Sequence, residues 1–263
     1  MKCRQVRRGA ALLALLAIAG CGAPEGPDDP PAGQATRPAP AAAVRAPVVM
    51  FLGDSYTTGG TDRSRLLTYA ADTAKLLGWQ VIIGGRAGTG FVTPGRVREP
   101  FRLLYERQLA WRPAPDMVIV SGGHNDQRQD PARVGRAART LLADMRERWP
   151  GTHLLLMGPL WGTGSPTPNV LRIRDALETV ARTLDVPFID PLREHWITGD
   201  GRTGTGNAVA YILPDRTHPT LDGHHYIAGR LAADLTVLGL TRPVRAPVSA
   251  ASSAGHAGAA SRP

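Results

Sequence analysis

The chain has 263 residues, 43% of them hydrophobic, with 31 Lys and Arg against 22 Asp and Glu for a formal net charge of +9. That apolar content supports a sizeable core and excludes a disordered polyelectrolyte. The basic residues are nearly all arginine and are scattered, with no clustered stripe interleaved with aromatics, so no nucleic-acid partner is expected.

Residues 1–8 carry Lys2, Arg4, Arg7 and Arg8 and no acid, and residues 9–19 form a short apolar run. This reads as the basic and apolar regions of a secretory signal over 1–20, too short to span a bilayer. The run ends in Ile18-Ala19-Gly20-Cys21, which resembles the lipobox of bacterial lipoproteins. The resemblance implies that Cys21 carries a lipid and anchors an exported protein to the outer face of the cell membrane. The alternative is an ordinary signal peptide and a secreted protein. Loss of residues 1–20 removes Cys3 and four bases, leaving Cys21 as the one cysteine and an excess of +5. No intrachain disulfide can then form, and the fold must rely on its core. Residues 22–46 are dominated by Pro, Ala and Gly, so 21–46 is expected to be a disordered tether reaching up to roughly 75 Å if extended.

A single domain is expected over 47–242, followed by an Ala/Ser/Gly/Pro-rich tail over 243–263 that is expected to be disordered. Five apolar runs read as buried strands: Val48–Leu52, Gln80–Ile83, Met117–Val120, His153–Met157 and Val186–Ile189. They are continuous rather than alternating, as in a parallel sheet covered on both faces. A helix is expected over about 64–77. A second opens at Asp130-Pro131, with Val134, Leu141, Leu142 and Met145 facing inward. A third has Thr167 as N-cap, Pro168 in the first turn, and the stripe Val170, Ile173, Leu177, Val180 and Leu184. A fourth covers about 222–238, with Ile227, Leu231 and Leu235 on one face. Strand–helix alternation predicts a three-layer α/β/α sandwich around a central five-stranded parallel sheet. Active sites in such sheets lie beyond the carboxyl ends of the strands.

Three motifs lie in that position or late in the chain: Gly53-Asp54-Ser55 after the first strand, Gly123-His124-Asn125-Asp126 after the third, and Asp215-Arg216-Thr217-His218 before the last helix. They supply a hydroxyl nucleophile, an amide donor and an Asp–His pair, the parts that acyl transfer needs. Taken singly, each has a plain reading as a turn or a helix cap. Their joint occurrence in this order points to a serine esterase.

Here the chain resembles the SGNH hydrolases, also called GDSL esterases and lipases. The resemblance rests on Val49-Met50-Phe51-Leu52-Gly53-Asp54-Ser55-Tyr56, Gly84-Gly85-Arg86-Ala87-Gly88-Thr89-Gly90-Phe91, Ser121-Gly122-Gly123-His124-Asn125-Asp126 and Asp215-Arg216-Thr217-His218-Pro219. It implies a flavodoxin-like fold, Ser55 as nucleophile, His218 as base and Asp215 as its orienting partner. It also implies an oxyanion hole made of the Ser55 and Gly88 N–H groups and the Asn125 amide. The glycine-rich block leaves Gly85 and Gly90 as neighbours in competition with Gly88, and Gly84, Gly85 and Arg86 stand where many members carry an asparagine. Asp54, His124 and Trp161 are candidate substrate-pocket residues. No cofactor and no metal are expected: His224 and His225 are adjacent and diverge by about 100° on a helix. The expected partner is an ester of a carbohydrate or lipid, with short acyl groups favoured because no long apolar lid separates the motifs. Longer-chain lipase, thioesterase or lysophospholipase activity, acyl transfer to a sugar hydroxyl, or a non-catalytic binding lipoprotein are the alternatives. A monomer is the expected state.

Overall fold

The computed structural model describes residues 45–59 and 65–247. The signal segment, Cys21, residues 22–44, Ser64 and residues 248–263 lie outside the described residues.

The described chain forms five parallel strands in the order β2-β1-β3-β4-β5: β1 (Val48–Gly53), β2 (Gln80–Gly85), β3 (Met117–Ser121), β4 (His153–Met157) and β5 (Phe188–Ile189). Successive side chains along a strand point to opposite faces, and the two faces carry separate cores. Met50, Leu52, Val118, Val120 and Leu156 pack against α3 (Phe101–Gln108), α4 (Pro131–Arg148) and α5 (Pro168–Thr183). Val49, Phe51, Met117, Ile119 and Met157 pack against α2 (Tyr69–Leu77) and α7 (Leu221–Val237). Full burial of each such side chain is worth about 1.5–3 kcal/mol, so both faces drive the same strand placement. Two four-residue helices, α1 (Ser55–Thr58) and α6 (Ala208–Tyr211), complete the set. This is the three-layer α/β/α sandwich expected from the sequence.

The local signals behave as their chemistry predicts. Asp130 accepts from the Ala132 N–H at 3.1 Å ahead of Pro131 in α4, and Thr167 accepts from Val170 N–H at 3.4 Å ahead of Pro168 in α5. The predicted 64–77 helix is shorter. Residues 65–67 form a 3₁₀ turn, and Thr68, extended at φ −121°, caps a helix that begins at Tyr69. The last helix starts one residue early, because Thr220 accepts from the Gly223 N–H at 3.0 Å. β5 is shorter than Val186–Ile189: the Val186 N–H is taken by Ala181 at the end of α5, and Pro187 has no N–H to give.

The strand ends are level on the carboxyl side, with Gly53 paired to Gly85 on one side and Ser121 on the other. Both glycines are required by close approach. A Cβ on Gly53 would lie 2.1 Å from Thr57 Oγ1, and one on Gly85 would lie 1.8 Å from the Gly53 carbonyl oxygen. At the other end of the sheet, Asp116 accepts the Val48 N–H at 2.7 Å, the Arg45 guanidinium at 2.8 Å and the Arg245 N–H at 3.4 Å. Burial works against the charge of Asp116, but these donors hold its carboxyl below the usual range. The Ala246 N–H also bonds the Gly151 carbonyl, so contacts of the domain extend beyond 47–242 at both ends.

Gly85 has φ +113° as well as the backbone clash, so alanine there is strained on two counts. The Gly85→Ala variant should lose at least about 3 kcal/mol in urea unfolding. A loss under about 1 kcal/mol would mean that β1 and β2 can separate at their ends.

Candidate active site

Ser55 opens α1 directly after β1. Asp54, extended at φ −92°, ψ −150°, caps that short helix by accepting the Tyr56 N–H at 3.0 Å. The chain turns at once, which stands Ser55 at the carboxyl end of the sheet. Its Oγ lies 3.0 Å from His218 Nε2, and His218 Nδ1 lies 2.7 Å from Asp215 Oδ2. With Nδ1–H donating to the carboxylate, Nε2 is left to accept the serine proton.

A spacing of three positions suffices to bring Asp215 onto His218 because the loop is a closed turn. The Leu213 N–H bonds the His218 carbonyl at 2.8 Å and the Arg216 N–H bonds the Leu213 carbonyl at 2.9 Å. Arg216 sits in the left-handed region at φ 60°, and its guanidinium forks onto Asp200, with Nε at 3.1 Å. Asp215 Oδ1 accepts the N–H groups of Thr217 and His218, each at 2.9 Å. Partial burial opposes the Asp215 charge, yet the His218 imidazole and these backbone donors hold its carboxyl below the usual range.

The glycine-rich loop after β2 leans on the loop after β3. Asp126 is fully buried and accepts three backbone N–H groups, from Phe91 at 2.9 Å, Val92 at 3.1 Å and Thr93 at 2.9 Å. Asn125 Nδ2 donates to the Thr89 carbonyl at 2.9 Å and to Asp54 Oδ2 at 3.2 Å, and Thr93 Oγ1 donates to the Asn125 carbonyl at 3.0 Å. Within this loop the Gly85 N–H goes to Gln108 Oε1 at 2.9 Å and the Gly90 N–H to the Thr93 carbonyl at 2.8 Å. Gly88, at φ +76°, has open space where a side chain would stand. No partner among the described residues takes its N–H or that of Ser55.

The three pocket candidates separate. His124 and Trp161 line a polar cleft of about 370 Å³ together with Gln127, Thr163, Asp215 and Thr217. Their rings lie 4.7 Å apart, and His124 in turn meets the edge of Tyr56 at 5.5 Å. Burial lowers the His124 imidazole to about 4, against the pull of the Leu160 carbonyl 3.2 Å from Nδ1, so the ring is neutral at neutral pH. Asp54, by contrast, is not a cleft residue: it is 3% exposed and its oxygens face Tyr56 N–H and Asn125. Burial, reinforced by the nearby Asp126 charge, pushes its carboxyl up to about 7 against those hydrogen bonds. Sequence reading missed the Asp126 anchor and the Asp200–Arg216 pair. The signal for the first was an acid directly beside the amide in Gly-His-Asn-Asp. Nothing in the sequence marks the second.

A parallel α/β sheet with a serine, an imidazole and a carboxylate aligned past its carboxyl ends defines a serine-hydrolase type of enzyme. The family profile of the GDSL-like lipase/acylhydrolases matches residues 51–226, and the chain belongs to that family. It is 33% identical over 196 residues to the GDSL lipase Rv0518 of Mycobacterium tuberculosis, covering 70% of this chain and 79% of that one. Its fold is similar to a family two carbohydrate esterase from Clostridium thermocellum, solved with cellohexaose (TM-score 0.55, 22% identity, 76% of this chain and 67% of that one). It is also similar to Est24, a carbohydrate acetylesterase from Sinorhizobium meliloti (TM-score 0.56, 15% identity, 73% and 99%). The protein is an ester-hydrolysing enzyme of the SGNH type.

Two measurements test the buried acids. Asp126→Ala orphans three buried N–H groups, so it should destabilise by about 3 kcal/mol or more and lower kcat through the released loop. Full activity in a folded variant would mean that the loop holds itself. For Asp54, a carboxyl raised from 3.8 to about 7 makes the native protein bind a proton that the unfolded chain has released. Stability from this group is therefore present below about pH 4 and lost as pH rises toward 7, on the order of 4 kcal/mol when complete. The melting temperature of Asp54→Asn relative to the wild type should rise across that window. A constant difference from pH 4 to 8 would return Asp54 to the ordinary carboxylate range.

Proposed function

We propose that this protein is a serine esterase that works through an acyl-enzyme on Ser55 and removes short acyl groups, acetyl foremost, from carbohydrate or other small polyhydroxyl alcohols. The observation that carries this reading is the continuous line from Ser55 Oγ through His218 to Asp215, at 3.0 and 2.7 Å. His218 Nε2 takes the serine proton as Oγ bonds to the ester carbonyl carbon. The oxygen becomes negative and is met by the N–H groups of Ser55 and Gly88 and the amide of Asn125. The imidazolium returns the proton to the departing alcohol oxygen as the acyl–oxygen bond breaks. Water then repeats the sequence on the acyl-enzyme and releases the acid. Asp215 keeps the imidazole in the working tautomer and offsets its charge while the proton is held.

The alcohol assignment is supported by the cleft beside Asp215. Its walls include Thr163, Gln127 and Thr217 together with Trp161 and the neutral His124. Hydroxyl-bearing rings suit such a wall, where an indole face and several hydrogen-bonding side chains converge. The two carbohydrate esterases of similar fold agree with this choice. The relative named a lipase favours a second reading, hydrolysis of longer acyl chains. We further propose that the chain is exported and held by a lipid on Cys21, which the lipobox-like Ile18-Ala19-Gly20-Cys21 supports.

Hydrolysis of p-nitrophenyl acetate, butyrate and octanoate separates the readings. The acetate should turn over fastest, and Ser55→Ala should reduce every rate by at least about 10⁴. A maximum at octanoate would move the assignment to the lipase reading. Activity surviving in Ser55→Ala would remove the serine mechanism.

A further inference from the structure

Asn125 has one side-chain nitrogen with two hydrogens, and both are directed at protein acceptors: the Thr89 carbonyl at 2.9 Å and Asp54 Oδ2 at 3.2 Å. The oxyanion role proposed for this amide therefore competes with Asp54 for one hydrogen. The bond to Thr89 fixes the amide plane and ties it to the loop that carries Gly88. The longer bond, to Asp54, is the one that can be released.

Asp54 is built as more than a helix cap. Capping uses Oδ1 and the Tyr56 N–H; Oδ2 is the oxygen that meets Asn125. The titratable groups around the carboxyl are Asp126 from the loop after β3, Tyr56 of α1 and Tyr69 of α2, with Asp215 and His218 on the far side of Tyr56. Neither arginine nor lysine bonds to it among the described residues. Solvent is excluded as well, at 3% exposure. A carboxylate in such surroundings is poorly supported, and an ionised one grips an N–H about twice as strongly as a neutral oxygen does.

We propose that Asp54 is a positioning residue that works in its protonated form. A proton on Oδ2 turns that acceptor into a donor, breaks the bond to Asn125 and frees the amide hydrogen for the carbonyl oxygen of the ester. Loss of the proton lets the carboxylate reclaim the hydrogen. The proton exchanges with solvent between these states and is not consumed in turnover. With the carboxyl pushed up to about 7, both forms are populated near neutral pH. Esterase activity should then have an alkaline decline that belongs to Asp54. This inference rests on Asn125 as an oxyanion donor.

The test is kcat/KM for p-nitrophenyl acetate from pH 5 to 9.5, corrected for background hydrolysis, in the wild type, Asp54→Asn and Asn125→Ala. Loss of one oxyanion donor typically costs about 10²–10³, so the wild type should fall by about 10-fold or more from its maximum to the alkaline plateau. Asp54→Asn keeps the cap but places an N–H where Oδ2 stood. It should hold its activity through the alkaline range. Asn125→Ala should be slower by about 10²–10³ at the pH optimum and have no alkaline decline, since there is no amide left to reclaim. It also keeps Asp54, so it decides the matter if Asp54→Asn fails to fold. A wild type without the decline, or either variant with the wild-type decline intact, overturns the proposal. Fluorophosphonate labelling of the wild type separates this from failure of the esterase reading. A labelled protein with a flat alkaline profile sinks the Asp54 role alone, and an unlabelled protein sinks both.

Discussion

Parallel pairing in register is the constraint on which the site depends. Because Gly53, Gly85 and Ser121 are hydrogen-bonded neighbours across three strands, the loops that follow them start from one level and one edge. The first loop delivers Ser55, the second Gly88 and the third Asn125, and none of the three needs a long arm to reach the others. A one-residue slip in any pair would exchange the two faces of that strand as well as shift its loop. The apolar burial of both faces therefore also aligns the chemistry. The two glycines at the level of β1 and β2 are the sterically required consequence of bringing backbones this close.

Two buried acids, Asp54 beside Ser55 and Asp126 in the loop after β3, are held in different ways. Asp126 is surrounded by backbone N–H groups, three of which it accepts, and it works as a fixed staple between two loops. Asp54 has one backbone donor and one amide, and the charge of Asp126 nearby opposes its own. The difference lies in the number of donors rather than in depth, since both are almost wholly out of contact with water. Asp215 shows the third case, a half-exposed acid whose charge is kept by His218 and two backbone N–H groups.

Much of this was legible from the chain because the signals are local. The caps at Asp130 and Thr167, the buried stripes of α4, α5 and α7, and the motifs at strand ends all depend on residues within a few positions of each other. What escaped was set by partners distant in sequence. Helix α3 has only eight residues, and its stripe of Phe101, Leu104 and Tyr105 is too brief to stand out after a Pro- and Gly-rich loop. The choice among Gly85, Gly88 and Gly90 turns on which acceptor claims each N–H, and one of those acceptors, Gln108, lies on α3. Asp54 and Asp126 look alike in sequence because each lies just past the end of a strand with glycine a few residues before it. Only their three-dimensional surroundings show which is a staple and which lies behind the serine. Asp200 reaches Arg216 from a separate loop and has no periodicity to betray it.

The clasp at Asp116 has a practical corollary. Arg45 and Arg245 both converge on this residue at the amino edge of the sheet, while Ser55 stands past the carboxyl edge. Entry and exit of the described chain thus share one edge of the sheet, and Ser55 stands past the opposite edge. A bead, an affinity handle or a fused protein joined near either of these two arginines has the whole depth of the sheet between it and Ser55. Attachment at Arg45 or Arg245 should leave the approach to Ser55 unobstructed.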